Sequence, residues 1–305
     1  MAVADPVVAV VVDGSAPAPQ PWQRRFLWCA PGEAWTLGWI IFLHVAAVVG
    51  LVLLPLPSWP IVVIAFSLIF LGGLGTTVCY HRSLAHRAVT LHPVIEQILI
   101  FFAMFNGSGN PRTWVGIHRL HHATSDSDQD ISSPHHGGFW WAHLRWLWQT
   151  DLGIAERYNP DLGAGRFRFW GQIQIPLLAL SAFGGLACGG LASGGLTWVN
   201  ALTAALWIGP IRLLWALHTQ CSVNSVCHLG SVTGAHGSGR NVFWLVFAHM
   251  GQGENWHGNH HQAAGTARLG QRWWQIDIGW WTIQALALTR LAHGIKGLQG
   301  RRPIA

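Results

Sequence analysis

Apolar residues in this chain gather into four long stretches rather than recurring with the period of a soluble helix or strand. Trp35–Leu54 and Trp59–Val78 each carry about 20 residues without a formal charge, the length that crosses a hydrocarbon core about 30 Å thick. Ile173–Leu191 and Trp198–Leu217 make a second pair. The joins within the pairs are short, "PLPS" and "ASGGLT", so each pair reads as a helical hairpin that enters and leaves on one side. One charge, Arg212, interrupts the last stretch near its end. Snorkelling toward the headgroups is the expectation for it, and a contact with a substrate headgroup is the sharper alternative.

The pattern predicts an all-α integral membrane protein with spans near 35–54, 59–78, 173–191 and 198–217. The polar remainder, 79–172 and 218–298, forms a helical cap, and residues 34–305 form one membrane domain. Residues 1–33 read as a disordered Pro/Ala/Gly-rich tail with an interfacial lead-in, and the tail lacks the basic start of a signal peptide. "LHPVIEQILIFFAMFNGSGNP" is too short, and too interrupted by Glu96 and Gln97, to span. It is expected to be an interfacial or buried helix. Gly72, Gly73 and Gly75, at the end of the second span, suit close approach of either an acyl chain or a neighbouring helix.

Composition agrees with a membrane protein: 51% of the 305 residues are hydrophobic, 20 are tryptophan and only 10% are charged. Trp35, Trp39, Trp59, Trp140, Trp141, Trp273, Trp274, Trp280 and Trp281 read as interfacial anchors, and "WWQIDIGWWTIQALALTRL" as an amphipathic helix on the membrane surface. Of the 18 Lys and Arg residues, all but Arg212 fall in the tail or the two cap segments, which places the cap in the cytoplasm by the positive-inside rule. The net charge of +6 is dispersed and precedes no nucleic-acid reader motif, so anionic lipid headgroups are the expected partner and nucleic acid is not. Five cysteines without a C-x-x-C pair give no disulfide framework.

The candidate chemistry lies in the histidines. Nine of the 18 fall into four clusters at the cap ends of spans or within the cap: "HRSLAH" (His81, His86), "HRLHH" (His118, His121, His122), "NSVCH" (His228) and "ENWHGNHH" (His257, His260, His261). In each H-x-x-H-H cluster the first histidine shares a helical face with the others. His81 and His86, five apart, fit a helix that continues from the span and loosens at its end. Imidazole ligates iron, copper, zinc or nickel. Nine imidazoles are too many for one ion and about right for two, whereas hydrolytic zinc sites keep about three protein ligands.

In order and spacing these boxes resemble the membrane-bound fatty acid desaturases, within them the Δ9 acyl desaturases of the stearoyl-CoA and cyanobacterial acyl-lipid type. The likeness runs from about Trp35 to Leu298 and includes "GFWWAHLRW" and "RWWQIDIGWW". It implies an O2-dependent enzyme that introduces a cis double bond, at Δ9, into a saturated acyl chain. It also implies two iron ions (Fe2+) held by His81, His86, His118, His121, His122, His228, His257, His260 and His261, with Asn224 reaching one iron through a water. Spacing alone supplies only a polyhistidine two-metal site; iron comes from the resemblance. Asp126, Asp130 and Glu254 are candidates to orient the ligand imidazoles.

Asn255, Gly258, Gly230, Ile131 and "QAAGTARLG" depart from the family's usual residues, while every ligand position is kept. The acyl carrier, CoA, ACP or a complex lipid, stays open. The chain has neither a dinucleotide fingerprint nor a cysteine cluster for iron–sulfur, so electrons are expected from a separate ferredoxin or cytochrome b5-like donor. Rival readings are a hydroxylase, acetylenase or terminal-alkene-forming enzyme on the same scaffold, and, more remotely, a metal transporter, whose ligands should line the bilayer midplane. His135, His136, His143, His218, His236 and His249 read as structural or supporting, with His44 in the first span and His293 in a C-terminal helix.

Overall fold

The computed structural model describes residues 19–297 except 164, 193 and 232–237. The tail up to residue 18 and His236 therefore lie outside the described residues. Helices carry the chain: α1 (Ala34–Leu53), α2 (Trp59–Leu74), α3 (Pro93–Phe105), α4 (Pro111–Thr124), α5 (Arg168–Phe183), α6 (Trp198–Leu206), α7 (Arg212–Ser225), α8 (His257–Gln262) and α9 (Ile278–Leu288), with short helical turns between. Four helical stretches are long and apolar enough to cross a membrane: Ala34–Leu53, Trp59–Ala85, Arg168–Leu191 and Trp198–Ser225.

Compared with the spans expected from hydropathy, the second and fourth run on past Val78 and Leu217, and the third begins earlier, at Arg168. Hydropathy misses these extensions because they are polar, and they differ in burial: Arg168, Phe169, Gly171 and Gln172 are exposed, and the extension past Leu217 is part-buried. Every residue of Gly75–Ala85 is buried, and the segment is π-helical. Along α1, by contrast, Val45, Val48, Val52 and Leu53 are exposed apolar side chains, the surface expected of a helix in contact with lipid.

α3 is the short buried helix expected. Pro93 occupies its first turn after His92, a position where the missing N–H costs nothing. The two polar residues that interrupt its apolar run have partners: Glu96 accepts two bonds from Arg166, at 2.8 and 2.9 Å, and Gln97 accepts the Trp170 indole N–H at 2.7 Å. Of the three glycines, Gly75 serves helix packing, since a Cβ there would stand 2.3 Å from the Leu99 carbonyl. Gly73 also lines the central cavity.

Arg212 does not snorkel. It is fully buried, and its guanidinium donates to the carbonyls of Ile208, Phe105 and Ser181, to Asn106 Oδ1 at 2.8 Å and to the Ser181 hydroxyl. Phe105 is the last residue of α3, whose terminal carbonyls have no partner within the helix. Arg212 thus ties the end of α3 to α5 and α7, and the snorkelling expectation fails because these acceptors lie closer than any headgroup.

The all-α expectation needs one correction. Thr90–Leu91 pairs antiparallel with Ala292–His293, so His293 lies in a short strand and not in a C-terminal helix. The helix expected over "WWQIDIGWWTIQALALTRL" starts only at Ile278, where the Asp277 side chain accepts the Trp280 N–H and caps it. Asp277 also pairs with buried Arg82 at 2.8 Å, which fastens the C-terminal segment to the extension of the second span. The largest core cluster lies around that junction and includes Val78, Tyr80, Ile100, Phe167 and Ile283.

Candidate metal centre

Three helical pieces and one loop end bring the histidine boxes together. In the π-helical extension the hydrogen bond runs from the His86 N–H to the His81 carbonyl, i to i+5, at 3.1 Å. That wider turn puts residues five apart on one side, and the two imidazole rings lie 5.0 Å apart. On α4, begun by the Asn110 side-chain cap and Pro111, Trp114, His118 and His122 form an i, i+4, i+8 stripe, with Trp114 stacked on His118 at 5.0 Å. The last box, with His257, His260 and His261, forms α8, and His228 follows the end of α7.

The nine histidines fall into two groups, each with ligand nitrogens within 4.8 Å of one another: His81, His86, His118, His122 and His260 in one, His121, His228, His257 and His261 in the other. Residues four apart, His118 with His122 and His257 with His261, share a group, while the histidine between them turns to the other. Nitrogen faces nitrogen: His81 Nε2 lies 3.0 Å and His122 Nε2 2.9 Å from His260 Nε2, and His86 Nε2 lies 2.8 Å from His118 Nε2. In the second group His257 Nε2 is 2.9 Å from His228 Nε2 and 3.0 Å from His261 Nε2.

Carboxylates fix which nitrogen is free. His81 Nδ1 donates to Glu254 at 2.8 Å, His121 Nδ1 to Asp130 at 2.9 Å and His228 Nδ1 to Asp126 at 2.9 Å. A carboxylate only accepts, so Nδ1 carries the proton and, in the neutral ring, Nε2 keeps its lone pair. His260 Nε2 has one proton at most and cannot satisfy two such neighbours. Converging lone pairs repel one another unless a cation lies among them, so the donor set fits a metal ion in each group.

Electrostatics agree. Burial, reinforced by the neighbouring histidines, holds His86, His118, His122, His257 and His260 well below the ordinary imidazole value, so they are neutral and able to ligate near pH 7. For His121 burial lowers and Asp130 raises, and the carboxylate prevails. Burial would raise Glu254, but His81, Arg82 and Thr77 bring it down to about 2. Asp126 is likewise drawn down against burial by His228, Ser231 and Ser238.

Of the three aspartates in "SDSDQD", Asp126 and Asp130 are buried while Asp128 is exposed. Asp126 adopts the left-handed φ of +58°. Its carboxylate is ringed by the hydroxyls of Ser133, Ser231 and Ser238, at 2.7 to 2.8 Å. Asn224 borders the same cavity as His121 and His257. Gly258 fits because a Cβ would press on the backbone of Arg240 and Asn241, at 3.1 to 3.3 Å.

The remaining histidines have other roles. His44 Nδ1 donates to the Ile40 carbonyl at 2.7 Å, as a local hydrogen bond would predict, but its Nε2 also meets His218 Nε2 at 3.1 Å. His218 Nδ1 meets His143 Nε2 at 2.9 Å, and His143 Nδ1 meets the Ser225 hydroxyl at 2.8 Å. No short spacing announced this chain, which joins residues 44, 143 and 218. His135 lies 3.3 Å from the Ser231 hydroxyl, His136 packs on Trp22, and buried His249 lies 3.3 Å from the Ser222 hydroxyl. Sequence reasoning also missed Thr77, whose hydroxyl donates to Glu254, and the Trp114 stack. Both stand four residues before a histidine of the cluster, a signal that was available.

A cavity of about 380 Å³ lies beside the histidines, within the range of small-molecule sites. Its wall includes His81, His118, His121, His257 and Glu254, the polar Thr76, Thr77, Asn106 and Ser108, and the apolar Ile40, Leu43, Ile69, Leu178 and Leu213.

Comparison with known proteins agrees with this geometry. The chain is 36% identical to Delta-9 acyl-lipid desaturase 1 of Arabidopsis thaliana over 245 residues, 78% of this chain and 76% of that one. It is 33% identical to the sn-1 stearoyl-lipid 9-desaturase of Synechocystis over 279 residues, 86% of this chain and 80% of that one. Icosanoyl-CoA 5-desaturase of Limnanthes douglasii is 32% identical, with 78% and 66% covered. The fatty acid desaturase profile matches residues 57–293, and the chain belongs to the fatty acid desaturase family.

Proposed function

We propose that this protein is an O2-dependent acyl-lipid desaturase that places a cis double bond at Δ9 of a saturated acyl chain. The observation that carries the reading is the pair of converging histidine groups beside a cavity whose lining joins four of those histidines to apolar residues of the helical spans. Relatives named for lipid substrates and for the 9 position support the carrier and the regiochemistry.

In this reading His81, His86, His118, His122 and His260 would hold one iron ion and His121, His228, His257 and His261 the other, and Asn224 would reach one of them through a water. The metals supply the O2-derived oxidising power that no side-chain acid or base can bring to an unactivated methylene. One O2 takes two hydrogens from the chain and two electrons and two protons from outside, giving two waters. The protein's own part is positional. Glu254, Asp126 and Asp130 hold imidazoles in the ligating tautomer, the apolar wall aligns the acyl chain, and burial keeps bulk water from the reacting carbons.

The two electrons come from a separate ferredoxin or cytochrome b5-like protein on the cap side. The four spans form two hairpins within residues 34–305, and the cap faces the cytoplasm. Expression in a host that makes no unsaturated lipids, followed by double-bond localisation by mass spectrometry, tests the reading. A cis Δ9 monoene in glycerolipids is the expected result. Hydroxylated or terminal-alkene products, or iron-loaded protein without any product, would overturn it.

A further inference from the structure

Trp215 shares a double position with Trp35, and differs from it in closing against the turn at Ala248. It lines the cavity beside the histidines and is 38% exposed. Its neighbour Phe66, by contrast, does not line the cavity. Trp215 stands ten residues before the end of the helical stretch Trp198–Ser225, about 15 Å below its cap-side end at 1.5 Å per residue. Its outer surroundings are apolar: the ring of Phe66, also exposed, lies 5.8 Å away. Phe243, Trp244 and Phe247, just before the turn that Trp215 touches, are all exposed.

The closure is slight. The Trp215 indole N–H donates to the Ala248 carbonyl at 3.1 Å, and the Thr219 hydroxyl reaches the same oxygen at 3.5 Å. Ala248, His249 and Met250 form the opposite lip and also line the cavity. The lip turns through Met250 and Gly251, at φ of +49° and +73°, so a residue with a side chain holds a left-handed conformation at the hinge of this lip.

We propose that Trp215 is the shutter of a lateral portal, through which an acyl chain of a bilayer diacyl lipid slides sideways into the cavity while its headgroup stays at the membrane surface. The proposal rests on the desaturase reading and names how its substrate arrives. A diacyl lipid taken from above would first have to leave the bilayer and expose both chains to water. A gap at the depth of Trp215, bordered by Phe66 and Phe247, removes that step.

The test uses the full-length protein in phosphatidylcholine nanodiscs doped with a diacyl phosphatidylcholine that carries a diazirine at mid-chain. After illumination, mass spectrometry maps adducts on Ile69 and Leu213, cavity-lining residues that are buried from outside. The expected result is labelling of both in the wild type, rising at least threefold in Trp215→Ala. A smaller rise is expected in Trp215→Phe, which keeps the bulk and loses the bond to Ala248. Trp35→Ala, at the exposed cavity-lining tryptophan near the start of α1, should leave labelling unchanged. Absence of interior adducts, or a rise with Trp35→Ala and not with Trp215→Ala, overturns the portal. Interior labelling that follows Trp215 in a protein making no unsaturated product would uphold the portal and sink the desaturase reading instead.

Discussion

Two sets of histidines lie close together in this molecule and are built on opposite plans. In the nine-histidine set the Nε2 atoms converge within each group, and three of the outer Nδ1 atoms are held by carboxylates. In the chain of His44, His218 and His143, the rings are joined in series and both nitrogens of His218 are occupied, one toward each neighbour. The Ile40 carbonyl takes the His44 Nδ1 proton, and that choice propagates: His218 donates from Nε2 and His143 from Nε2. The first plan leaves lone pairs over for a cation, and the second leaves none. Counting histidines cannot separate the two plans. The direction of the second nitrogen can.

The difference can be broken most directly by removing a converging histidine. His118→Ala or His261→Ala should lose bound metal and lower product by more than the roughly 10–100-fold that changes behind a metal ligand cost. His218→Phe should leave the metal content as it is, read by metal analysis of purified protein. Next come the carboxylates. Asp126→Asn, Asp130→Asn and Glu254→Gln should each weaken metal affinity about 10–100-fold, by competition with a chelator, because the amide no longer enforces the tautomer.

Acid should also destabilise metal-free protein. His86, His118, His122, His257 and His260 have folded values lowered below the unfolded one, so the unfolded chain binds more protons. Thermal stability should fall as pH drops from about 6.5. His121, raised by Asp130, opposes this only in part. Glu254, held at about 2, adds stability that is fully present above the ordinary carboxylate range and is lost as pH falls toward its folded value. Metal should displace the histidine-dependent loss to lower pH, and a melting curve indifferent to pH between 7 and 5 would contradict the neutral, converging arrangement.

Smaller still, His218→Leu should cost about 1–3 kcal/mol of stability by stranding His44 and His143, and Ser225→Ala about 1 kcal/mol, with metal retained in both.

How much of this could be read in the sequence depended on distance along the chain. The four spans, the four boxes and the aspartates worth watching were legible because hydropathy and short spacings are local. The π-helical turn was visible only as a loosened helix, since the five-residue gap between His81 and His86 hints at a wider turn without naming it. The division of the nine histidines into five and four was not legible: it depends on how α4, α8 and the ends of the second and fourth spans meet. Arg212 misled for the same reason. Its acceptors on Phe105, Asn106 and Ser181 are remote in sequence, so a charge near a span end looked like one seeking water. The chain of His44, His143 and His218 gave no sign at all, each being a lone histidine in its own segment.

The helical stretch Trp59–Ala85 carries His81 near its far end without a break. At about 1.5 Å per residue its 27 residues measure roughly 40 Å, against a hydrocarbon layer of about 30 Å. The stretch is therefore a strut that sets the height of the histidine cage above the bilayer, and a membrane of different thickness would raise or lower the cage relative to the headgroups. For the surface-tethered acyl lipid of the proposed function, that height would be a gauge along the acyl chain, and membrane thickness would join cavity shape among the quantities that choose which carbon reacts.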